Sequence, residues 1–250
     1  MAAWPEGVGR RILPETDSTM AEAARIAPGL LGPEWVLALR QTAGRGRRGR
    51  AWAMPEGNFA ASLVMRPEGA PAEAALRSFV AALALRDAFV AAGVAEGDIT
   101  LKWPNDVLVR GGKAAGILLE SMGDGRGGVA HLVVGIGVNL AEAPPAASLE
   151  AGALAPVSLK ADAGIGITPE AFLDLLAPAF AHRESQMAIY GFAPIRAAWL
   201  RGAARLGETV TARLPKEEIA GTFRDIDAGG NIVLETPKGR RAIAAAEIFF

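Results

Sequence analysis

The sequence contains no cysteine and only two histidines, His131 and His182. Without cysteine the chain can form neither disulfides nor thiolate zinc sites, and it has no cysteine nucleophile. His131 lies inside an apolar run, so we interpret it as a packed or surface residue rather than a metal ligand. We therefore expect no metal site built from protein side chains.

The chain also lacks long apolar runs and an excess of charge of one sign. No run reaches the ~18 apolar residues that suggest a membrane-spanning helix, and the N-terminus lacks the basic and apolar regions of a signal peptide. Lysine and arginine number 26 against 27 aspartates and glutamates, which gives a formal net charge of −1. A general nucleic-acid-binding protein would usually carry a basic excess. We therefore predict a cytoplasmic protein with no membrane association.

The 250 residues, of which 51% are apolar, are enough for a large domain followed by a small one. Strand-like runs alternate with helical segments, and this pattern indicates an α+β fold. The predicted helices are one that begins at Asp17 or Ser18, one over residues 73–92, one that begins at Thr168 and a short one over residues 194–201. Residues 141–167 are rich in alanine, proline and glycine and are interpreted as a long connection. Near the C-terminus, short alternating runs separated by turns predict a small β-barrel. We place the domains at residues 1–204 and 205–250.

The segment from Gln41 to Trp52 is the most distinctive of the chain. Three glycines alternate there with four arginines, and a tryptophan closes the run. Glycine lets the backbone approach a ligand closely, arginine suits phosphate and carboxylate, and four unpaired arginines cannot be buried in a core strand. The pattern predicts a loop at a strand end that folds over an anionic ligand. From this segment alone, a nucleic-acid-binding segment or a passive solvated loop are the alternatives.

A second polar segment interrupts a strand-like run. Because Pro104 cannot sit in a central ladder, we expect Lys102, Asn105 and Asp106 to project from a kink between two strands. Lys113 follows a tight glycine turn of hairpin type. A turn lysine beside this kink and beside the arginine-rich loop would form a site for a nucleotide phosphate.

Hydroxyl side chains also mark the start of a predicted helix, where Asp17 or Ser18 can act as the cap. One interpretation is that these residues only cap the helix. The other is that the hydroxyls of Ser18 and Thr19, together with free N–H groups, face a ligand.

The candidate residues include no pair of a nucleophile and a base, because cysteine is absent and no histidine lies near these segments. The available catalysis is therefore electrostatic stabilisation of charge on phosphoryl oxygens, combined with positioning of two bound reactants. This chemistry favours adenylation of a carboxylate over acid–base hydrolysis. A P-loop kinase is excluded, since the Gly-x-x-x-x-Gly-Lys-Ser/Thr pattern does not occur.

Four segments carry a resemblance to a known family. They are residues 44–49 (Gly-Arg-Gly-Arg-Arg-Gly) with Trp52, residues 102–106 (Lys-Trp-Pro-Asn-Asp), residues 113–120 (Lys-Ala-Ala-Gly-Ile-Leu-Leu-Glu) and residues 135–139 (Gly-Ile-Gly-Val-Asn). In order and spacing they closely resemble the biotin protein ligases, from about Arg10 to the C-terminus. The resemblance implies a class II synthetase-like catalytic domain, with a mixed or antiparallel sheet and packing helices, followed by an SH3-like β-barrel.

The resemblance also implies a two-step reaction. The biotin carboxylate attacks the α-phosphorus of ATP and gives biotinyl-AMP and pyrophosphate. A lysine amine of a biotin carboxyl carrier protein, such as the acetyl-CoA carboxylase subunit, then attacks the mixed anhydride and releases AMP. Mg²⁺ would accompany the ATP, carried mainly by its phosphates.

Site residues follow from the resemblance, position by position. The biotin site it implies consists of Ser18, Thr19, Gln41, Arg45, Gly46, Arg47 and Lys113. The adenylate site it implies consists of Arg47, Arg48, Trp52, Lys102, Asn105, Lys113 and Asn139. Arg47 would hold the phosphate and Lys113 would contact the reacting carboxylate and phosphate oxygens. Trp52 would stack on adenine, and Asp106 would orient or deprotonate the incoming lysine.

The sequence departs from the family pattern at Met20, where the family often has asparagine, so we expect no polar contact to biotin there. Some members carry an N-terminal winged helix-turn-helix, but here the resemblance begins near Arg10, so we expect no specific DNA binding. Dimerisation through a sheet edge could occur.

Two alternatives are weighed against a biotin ligase. A lipoate or octanoate ligase or transferase would share the fold, although the arginine-glycine loop and the Lys-Trp-Pro-Asn-Asp segment favour biotin. A non-catalytic biotin- or RNA-binding module is the other alternative, and the presence of Lys113, Arg47 and Asp106 argues against it.

Overall fold

The computed structural model describes residues 3–145 and 154–250. Its larger sheet contains β1 (Gly9–Leu13), β2 (Glu34–Ala38), β3 (Phe59–Met65), β4 (Ile99–Lys102), β5 (Asp106–Val109), β6 (Gly112–Gly123) and β7 (Val129–Val138). The seven strands follow the order β1-β2-β3-β7-β6-β5-β4. β1 and β2 pair in parallel, and all other neighbours pair antiparallel. The predicted mixed sheet is confirmed.

Helices complete the α+β fold. Within the described residues they are α1 (Thr19–Ile26), α2 (Pro71–Ala75), α3 (Arg77–Ala92), α4 (Leu159–Ala163), α5 (Pro169–Tyr190) and α6 (Phe192–Arg201). The predicted helix over residues 73–92 is present but is interrupted at Leu76, where α2 ends and α3 begins. The predicted start of α5 is confirmed, because the Thr168 hydroxyl accepts a hydrogen bond from the N–H of Ala171 at 3.2 Å.

The predicted long connection over residues 141–167 is only partly a loop. Residues 146–153 lie outside the described residues. Beyond them, Ser158 caps α4, since its hydroxyl accepts from the Ala161 N–H at 3.2 Å and its own N–H donates to Asp162 at 2.8 Å. The sequence prediction missed α4, because a helix of five residues is too short to display a helical period.

Alternation along β3 divides the core between the two faces of the large sheet. Phe59, Ala61 and Leu63 belong to the main core with α3 and α5, where the Phe59 and Phe172 rings meet at 5.1 Å between centroids. Val64 belongs instead to a smaller cluster on the α1 face, with Met20, Ala23, Ala27, Val36 and Val133. This second face carries the cavity described below.

A second, antiparallel sheet forms the C-terminal part. It contains β8 (Thr209–Arg213), β9 (Glu218–Ile226), β10 (Ile232–Thr236), β11 (Gly239–Ile243) and β12 (Glu247–Phe249), in the order β11-β10-β9-β8-β12. The predicted runs of this region correspond to β8–β11, whereas β12 was not predicted. Among the described residues β11 and β12 form no ladder with each other, so the closed SH3-like barrel stays a prediction.

The two sheets share one hydrophobic core. Backbone hydrogen bonds of 2.8 Å join Leu101 of β4 to Gly202 and Ala204. The Trp103 indole, in the turn after β4, donates to the Gly230 carbonyl at 3.0 Å. The boundary between residues 204 and 205 stays a prediction, because the core is continuous across it. In the part of the chain that the structure describes, no helix is long and apolar enough to cross a membrane.

The buried ion pair between α3 and α5 provides a test of this packing. Arg77, which is 7% exposed, donates two hydrogen bonds to Glu184, at 2.9 and 3.1 Å. We expect Arg77→Met to lower the free energy of unfolding by about 3 kcal/mol, because it leaves a largely buried carboxylate without its partner. The measurement is urea denaturation followed by circular dichroism. Arg240→Met, which removes an exposed pair with Glu235, should change stability little; equal losses in the two variants would contradict this assignment.

Candidate active site

A cavity of about 550 Å³ opens on the α1 face of the large sheet. It is lined by every site residue predicted from the sequence, namely Ser18, Thr19, Gln41, Arg45, Gly46, Arg47, Arg48, Trp52, Lys102, Asn105, Asp106, Lys113 and Asn139. The structure therefore brings together segments that are far apart in the chain. Their individual roles stay predictions.

The floor of the cavity consists of strand glycines. Gly116 on β6 pairs with Gly137 on β7, and Gly135 lies two residues earlier on the same face. A Cβ atom at Gly137 would lie 2.4 Å from the Trp52 ring, and one at Gly135 would lie 2.3 Å from the Met20 sulfur. Bare backbone at these positions therefore lets Trp52 and Met20 lie directly on the sheet. Met20 is an apolar part of the lining, as expected from its side chain.

The start of α1 forms one end of the cavity. The Gln41 side-chain carbonyl accepts from the Thr19 N–H at 2.8 Å and from the Thr19 hydroxyl at 3.2 Å. The Ser62 hydroxyl, on β3, donates to the Thr19 hydroxyl at 2.8 Å. Ser18 occupies the N-cap position, as predicted, but its side chain makes no cap hydrogen bond. Gln41 thus accepts a hydrogen bond from a free N–H group at the start of α1, a function that the sequence did not reveal.

Residues 44–52 fold into a small hairpin, which we call the arginine flap. The Gly46 N–H donates to the Arg50 carbonyl at 2.7 Å, and the Trp52 N–H donates to the Gly44 carbonyl at 2.9 Å. Arg48 and Gly49 form the tip, with φ angles of 56° and 73°. The predicted loop at a strand end is therefore a hydrogen-bonded hairpin.

The β4–β5 turn faces the arginine flap across the cavity. The Arg47 guanidinium donates to the Asn105 side-chain carbonyl at 3.1 Å, and the Asn105 amide donates to the Ile117 carbonyl at 2.6 Å. Lys102 and Asp106 are paired residues of this β-hairpin, so the predicted kink is confirmed as its turn. Burial lowers the pKa of Arg47, and the Asp106 charge opposes that effect.

Lysine side chains supply further positive charge at the cavity. The Lys113 ammonium lies 2.7 Å from a carboxylate oxygen of Asp106 and 5.7 Å from the centre of the Trp52 ring. Burial lowers the pKa of Lys102, again opposed by the charge of Asp106. Several cations therefore compete for the single carboxylate of Asp106.

Asn139 has a structural environment that its predicted role did not anticipate. Its side-chain amide donates to the Val157 carbonyl at 3.1 Å and to the Lys113 carbonyl at 3.4 Å. Its backbone N–H donates to the Ala114 carbonyl at 2.9 Å. Asn139 thus fixes the backbone that carries Lys113, and its proposed proximity to adenine stays a prediction.

The C-terminal sheet contributes a wall that sequence reasoning missed. Glu247, Ile248 and Phe249 of β12 line the cavity. Each oxygen of the Glu247 carboxylate accepts one hydrogen bond from the arginine flap, at 2.9 Å from Arg48 and at 2.6 Å from Arg50. The hydrogen bond from Arg50 lowers the pKa of Glu247. The only sequence signal was a three-residue alternation, which is too short to identify a strand.

The balance of charge determines what the cavity can hold. Within the described residues its lining includes the cations Arg45, Arg47, Arg48, Arg50, Lys102 and Lys113 but only the carboxylates Asp106 and Glu247. Such an excess attracts a polyanion and would stabilise negative charge that develops on phosphoryl oxygens. The polar helix start at one end and the cationic residues at the other suit a neutral polar ring joined to a phosphate-bearing group.

Comparison with known families gives two matches. Residues 8–139 match the sequence model of the Biotin/lipoate A/B protein ligase family. Residues 206–250 match the model of the Biotin protein ligase C terminal domain.

Similar proteins are known from several bacteria. The chain is 57% identical over 239 residues to the biotin--[acetyl-CoA-carboxylase] ligase of Paracoccus denitrificans, an alignment that covers 96% of this chain and 99% of that protein. It is 33% identical over 243 residues to the enzyme of the same name from Mycobacterium tuberculosis, covering 94% and 86% of the two chains. It is 33% identical over 214 residues to the bifunctional ligase/repressor BirA of Bacillus subtilis, covering 85% of this chain and 65% of that protein.

Solved structures show the same fold. The Aquifex aeolicus biotin protein ligase in complex with biotin and ATP superimposes with a TM-score of 0.79 at 24% identity, covering 96% of this chain and 97% of that one. The Leishmania major biotin protein ligase in complex with biotinyl-5-AMP gives a TM-score of 0.58 at 23% identity, covering 96% and 100%. At these identities the likeness establishes the architecture alone.

The glycine floor gives a test of the cavity geometry. We expect Gly137→Ala to displace the Trp52 indole, because the added Cβ would overlap a rigid ring at 2.4 Å. Acrylamide quenching of tryptophan fluorescence, with the Trp52→Phe protein as the reference for the other tryptophans, should report a more accessible indole. Gly97→Ala is the control, since no heavy atom would lie within 4 Å of its Cβ. Unchanged quenching in Gly137→Ala would show that the indole does not rest on this strand.

Proposed function

The chain belongs to the biotin protein ligase family, and we propose that it is an ATP-dependent, AMP-forming ligase that attaches biotin to a lysine of a biotin carboxyl carrier protein. The observation that carries this function is the convergence of all the motif residues on one cavity. The chain is also 57% identical to a biotin--[acetyl-CoA-carboxylase] ligase over nearly its whole length. A lipoate or octanoate enzyme is not favoured, since residues 206–250 match the C-terminal domain of biotin protein ligases. A non-catalytic module is not favoured either, since Lys113, Arg47 and Asp106 all line the cavity.

The first step joins biotin to the nucleotide. An oxygen of the biotin carboxylate attacks the α-phosphorus of ATP, the bond to the β-phosphate oxygen breaks, and pyrophosphate leaves. Lys113 contacts the reacting carboxylate and phosphoryl oxygens, and Arg47 binds the phosphate as charge accumulates there. The chain supplies no nucleophile for this step, because both reacting groups belong to the substrates. Its contribution is to neutralise two anions and to hold them in line.

The substrates occupy opposite ends of the cavity. The biotin ring lies at the start of α1, where Ser18, Thr19 and Gln41 supply polar groups and Met20 supplies an apolar surface. The adenylate lies under the arginine flap, beside Trp52. Arg45, Gly46, Arg48, Lys102, Asn105 and Asn139 complete the two sites as predicted from the sequence. The Trp52 ring stacks on adenine once the nucleotide is present.

ATP enters as its magnesium complex. Within the described residues no group of three or more histidines, aspartates or glutamates could hold a metal ion. Both carboxylates of the cavity, Asp106 and Glu247, are ion-paired with lysine or arginine. Because both carboxylates are already paired, this lining suits a Mg²⁺ ion whose ligands would be mainly the phosphate oxygens of ATP. The metal would neutralise phosphate charge, and the cations of the chain would contact the remaining oxygens.

The second step transfers biotin to the carrier. The amine of the carrier lysine attacks the carbonyl carbon of the mixed anhydride, AMP leaves, and the amine loses a proton. Asp106 is the candidate to orient or deprotonate this amine, because its carboxylate lies at the cavity beside Lys113. An incoming ammonium would compete with Lys113 for the same carboxylate. Dimerisation, the lack of specific DNA binding and the cytoplasmic location stay predictions.

Substitution of Lys113 tests its role in the first step. We expect Lys113→Ala to reduce biotin-dependent ATP–pyrophosphate exchange by about 100-fold or more, because a cation that stabilises the transferring phosphoryl group is lost. Lys216→Ala, in an exposed turn of the C-terminal sheet, is the matched control and should exchange at the wild-type rate. Circular dichroism verifies that both variants fold. Undiminished exchange by folded Lys113→Ala would refute its assignment.

Substitution of Asp106 tests the second step. We expect Asp106→Asn to slow biotin transfer from isolated biotinyl-AMP to a carrier domain by about 100-fold, the usual contribution of a general base. The measurement is mass gain of the carrier in a single turnover. Adenylation should fall by a smaller factor, because Lys113 remains in place. Asp98→Asn, which alters an ion pair with Arg110 outside the cavity, is the control. Transfer at the wild-type rate by Asp106→Asn would remove this residue from the mechanism.

A further inference from the structure

Ser62 places a hydroxyl on the α1 face of β3, in the interior of the molecule. Its side chain is fully buried, and its partners in the neighbouring strands are Val36 on β2 and Gly135 on β7. Two positions further along the same face, Val64 belongs to the apolar cluster beneath α1. Burial of a hydroxyl in such a place is unfavourable unless the hydroxyl is hydrogen-bonded. The Ser62 hydroxyl therefore depends on a partner above the sheet.

That partner is the Thr19 hydroxyl, in the first turn of α1. Ser62 donates to it at 2.8 Å, and within the residues that the structure describes this is the one hydrogen bond of the Ser62 side chain. The buried Ser62 proton is therefore satisfied only while Thr19 accepts it. Thr19 cannot then donate to Ser62, so its own proton is left for Gln41, whose side-chain carbonyl it reaches at 3.2 Å.

The orientation of the Gln41 amide is fixed as well. The Thr19 backbone N–H can only donate, so the Gln41 atom that it contacts at 2.8 Å is the carbonyl oxygen. Both hydrogen bonds that reach this oxygen come from Thr19, one from its backbone and one from its hydroxyl. Hydrogen bonds therefore run in one direction from Ser62 to Thr19 to Gln41, and we call these three residues the Ser62 relay.

The Ser62 relay determines what Thr19, which lines the cavity, offers to a ligand. A hydroxyl group has one proton to donate and two lone pairs that accept. Here the proton is directed at Gln41, and one lone pair is occupied by Ser62. The remaining lone pair of Thr19 can only accept a hydrogen bond. This end of the cavity therefore matches a ring that carries an N–H group.

We propose that Ser62 is a positioning residue for the ring-binding end of the cavity: its buried hydroxyl holds the Thr19 hydroxyl as an acceptor, so that this end selects a ring with an N–H group. The identity of the ring rests on the proposed function, because the cyclic urea of biotin carries such a group, but the Ser62 relay is independent of it. Ser62 acts through Thr19 and does not contact the substrate. Its loss weakens binding of the ring and leaves binding of the nucleotide, at the other end of the cavity, unchanged.

Thermal unfolding tests the Ser62 relay independently of any substrate. Thr19→Val keeps the shape of the Thr19 side chain but leaves the buried Ser62 donor without an acceptor, so we expect it to lower Tm by about 5 °C. Adding Ser62→Ala to Thr19→Val removes the unsatisfied donor and should recover about half of that loss. The measurement is circular dichroism during heating. A double variant that is less stable than Thr19→Val would overturn the relay.

Biotin binding tests the positioning role. We expect Ser62→Ala to raise the Kd for biotin about fivefold, the effect of one weakened hydrogen bond, and to leave the KM for ATP at the wild-type value. Thr168→Ala, which removes a hydroxyl that caps α5, is the control and should bind biotin as the wild type does. Isothermal titration calorimetry gives Kd and the fraction of competent molecules separately. A lower competent fraction with an unchanged Kd in Ser62→Ala would mean that Ser62 only stabilises the fold, which would overturn the proposal.

Desthiobiotin, which keeps the cyclic urea but lacks the sulfur bridge, tests which group of the ring Thr19 receives. Ser62→Ala should weaken its binding by the same factor as that of biotin, because both ligands carry the same N–H groups. An effect confined to biotin would overturn the assignment to the N–H group. If the wild-type protein bound neither biotin nor desthiobiotin, the proposed function would fail, and the unfolding experiment would still decide whether the Ser62 relay exists.

Discussion

The site depends on a stretch of sheet surface that carries no side chains. Gly116, Gly135 and Gly137 leave backbone exposed on the α1 face of β6 and β7, while α2 and α3 cover the opposite face of the same strands. A residue with a Cβ at any of these positions would meet Trp52 or Met20 at 3.2 Å or less. The sheet thus supports a tightly packed core on one face and an open cavity on the other. The open face is possible because the closed face supplies the hydrophobic stabilisation.

Electrostatics then determine what the open face binds. An otherwise near-neutral chain concentrates six lysine and arginine side chains around one cavity. Their mutual repulsion would be unfavourable without counter-charges, and Asp106 and Glu247 supply only part of the compensation. The remaining excess of positive charge favours an anionic ligand, because a bound anion reduces the repulsion between the cations. Burial lowers the pKa values of Lys102 and Arg47, and the charges of Asp106 and Glu247 oppose that effect.

The sequence predicted the fold class, and all the candidate site residues that it indicated line one cavity, but it missed what depends on distant contacts. The strands β3 and β7 and the start of α5 followed from local patterns, and the motif residues were found by their resemblance to a family. β12 and α4 are too short for the sequence to display the periodicity of a strand or a helix. The break between α2 and α3 at Leu76 lies within a continuous apolar pattern. The capping of α1 by Gln41 and the pairing of Glu247 with the flap join residues far apart in the chain. No local signal reports such contacts, since they exist only once the sheets have packed.

The wall formed by β12 makes the small sheet part of the ligand-binding equilibrium. Any state in which that sheet opens removes one side of the cavity and breaks the hydrogen bonds between Glu247 and the arginine flap, so such a state would bind an anionic ligand more weakly. By linkage, an occupant of the cavity must suppress those openings to the same extent. A ligand bound in the cavity would therefore stabilise the C-terminal sheet, although that sheet carries no residue of the recognised motifs. Amino-acid changes in its interior would therefore lower the affinity of the cavity for its ligand as well as the stability of the sheet.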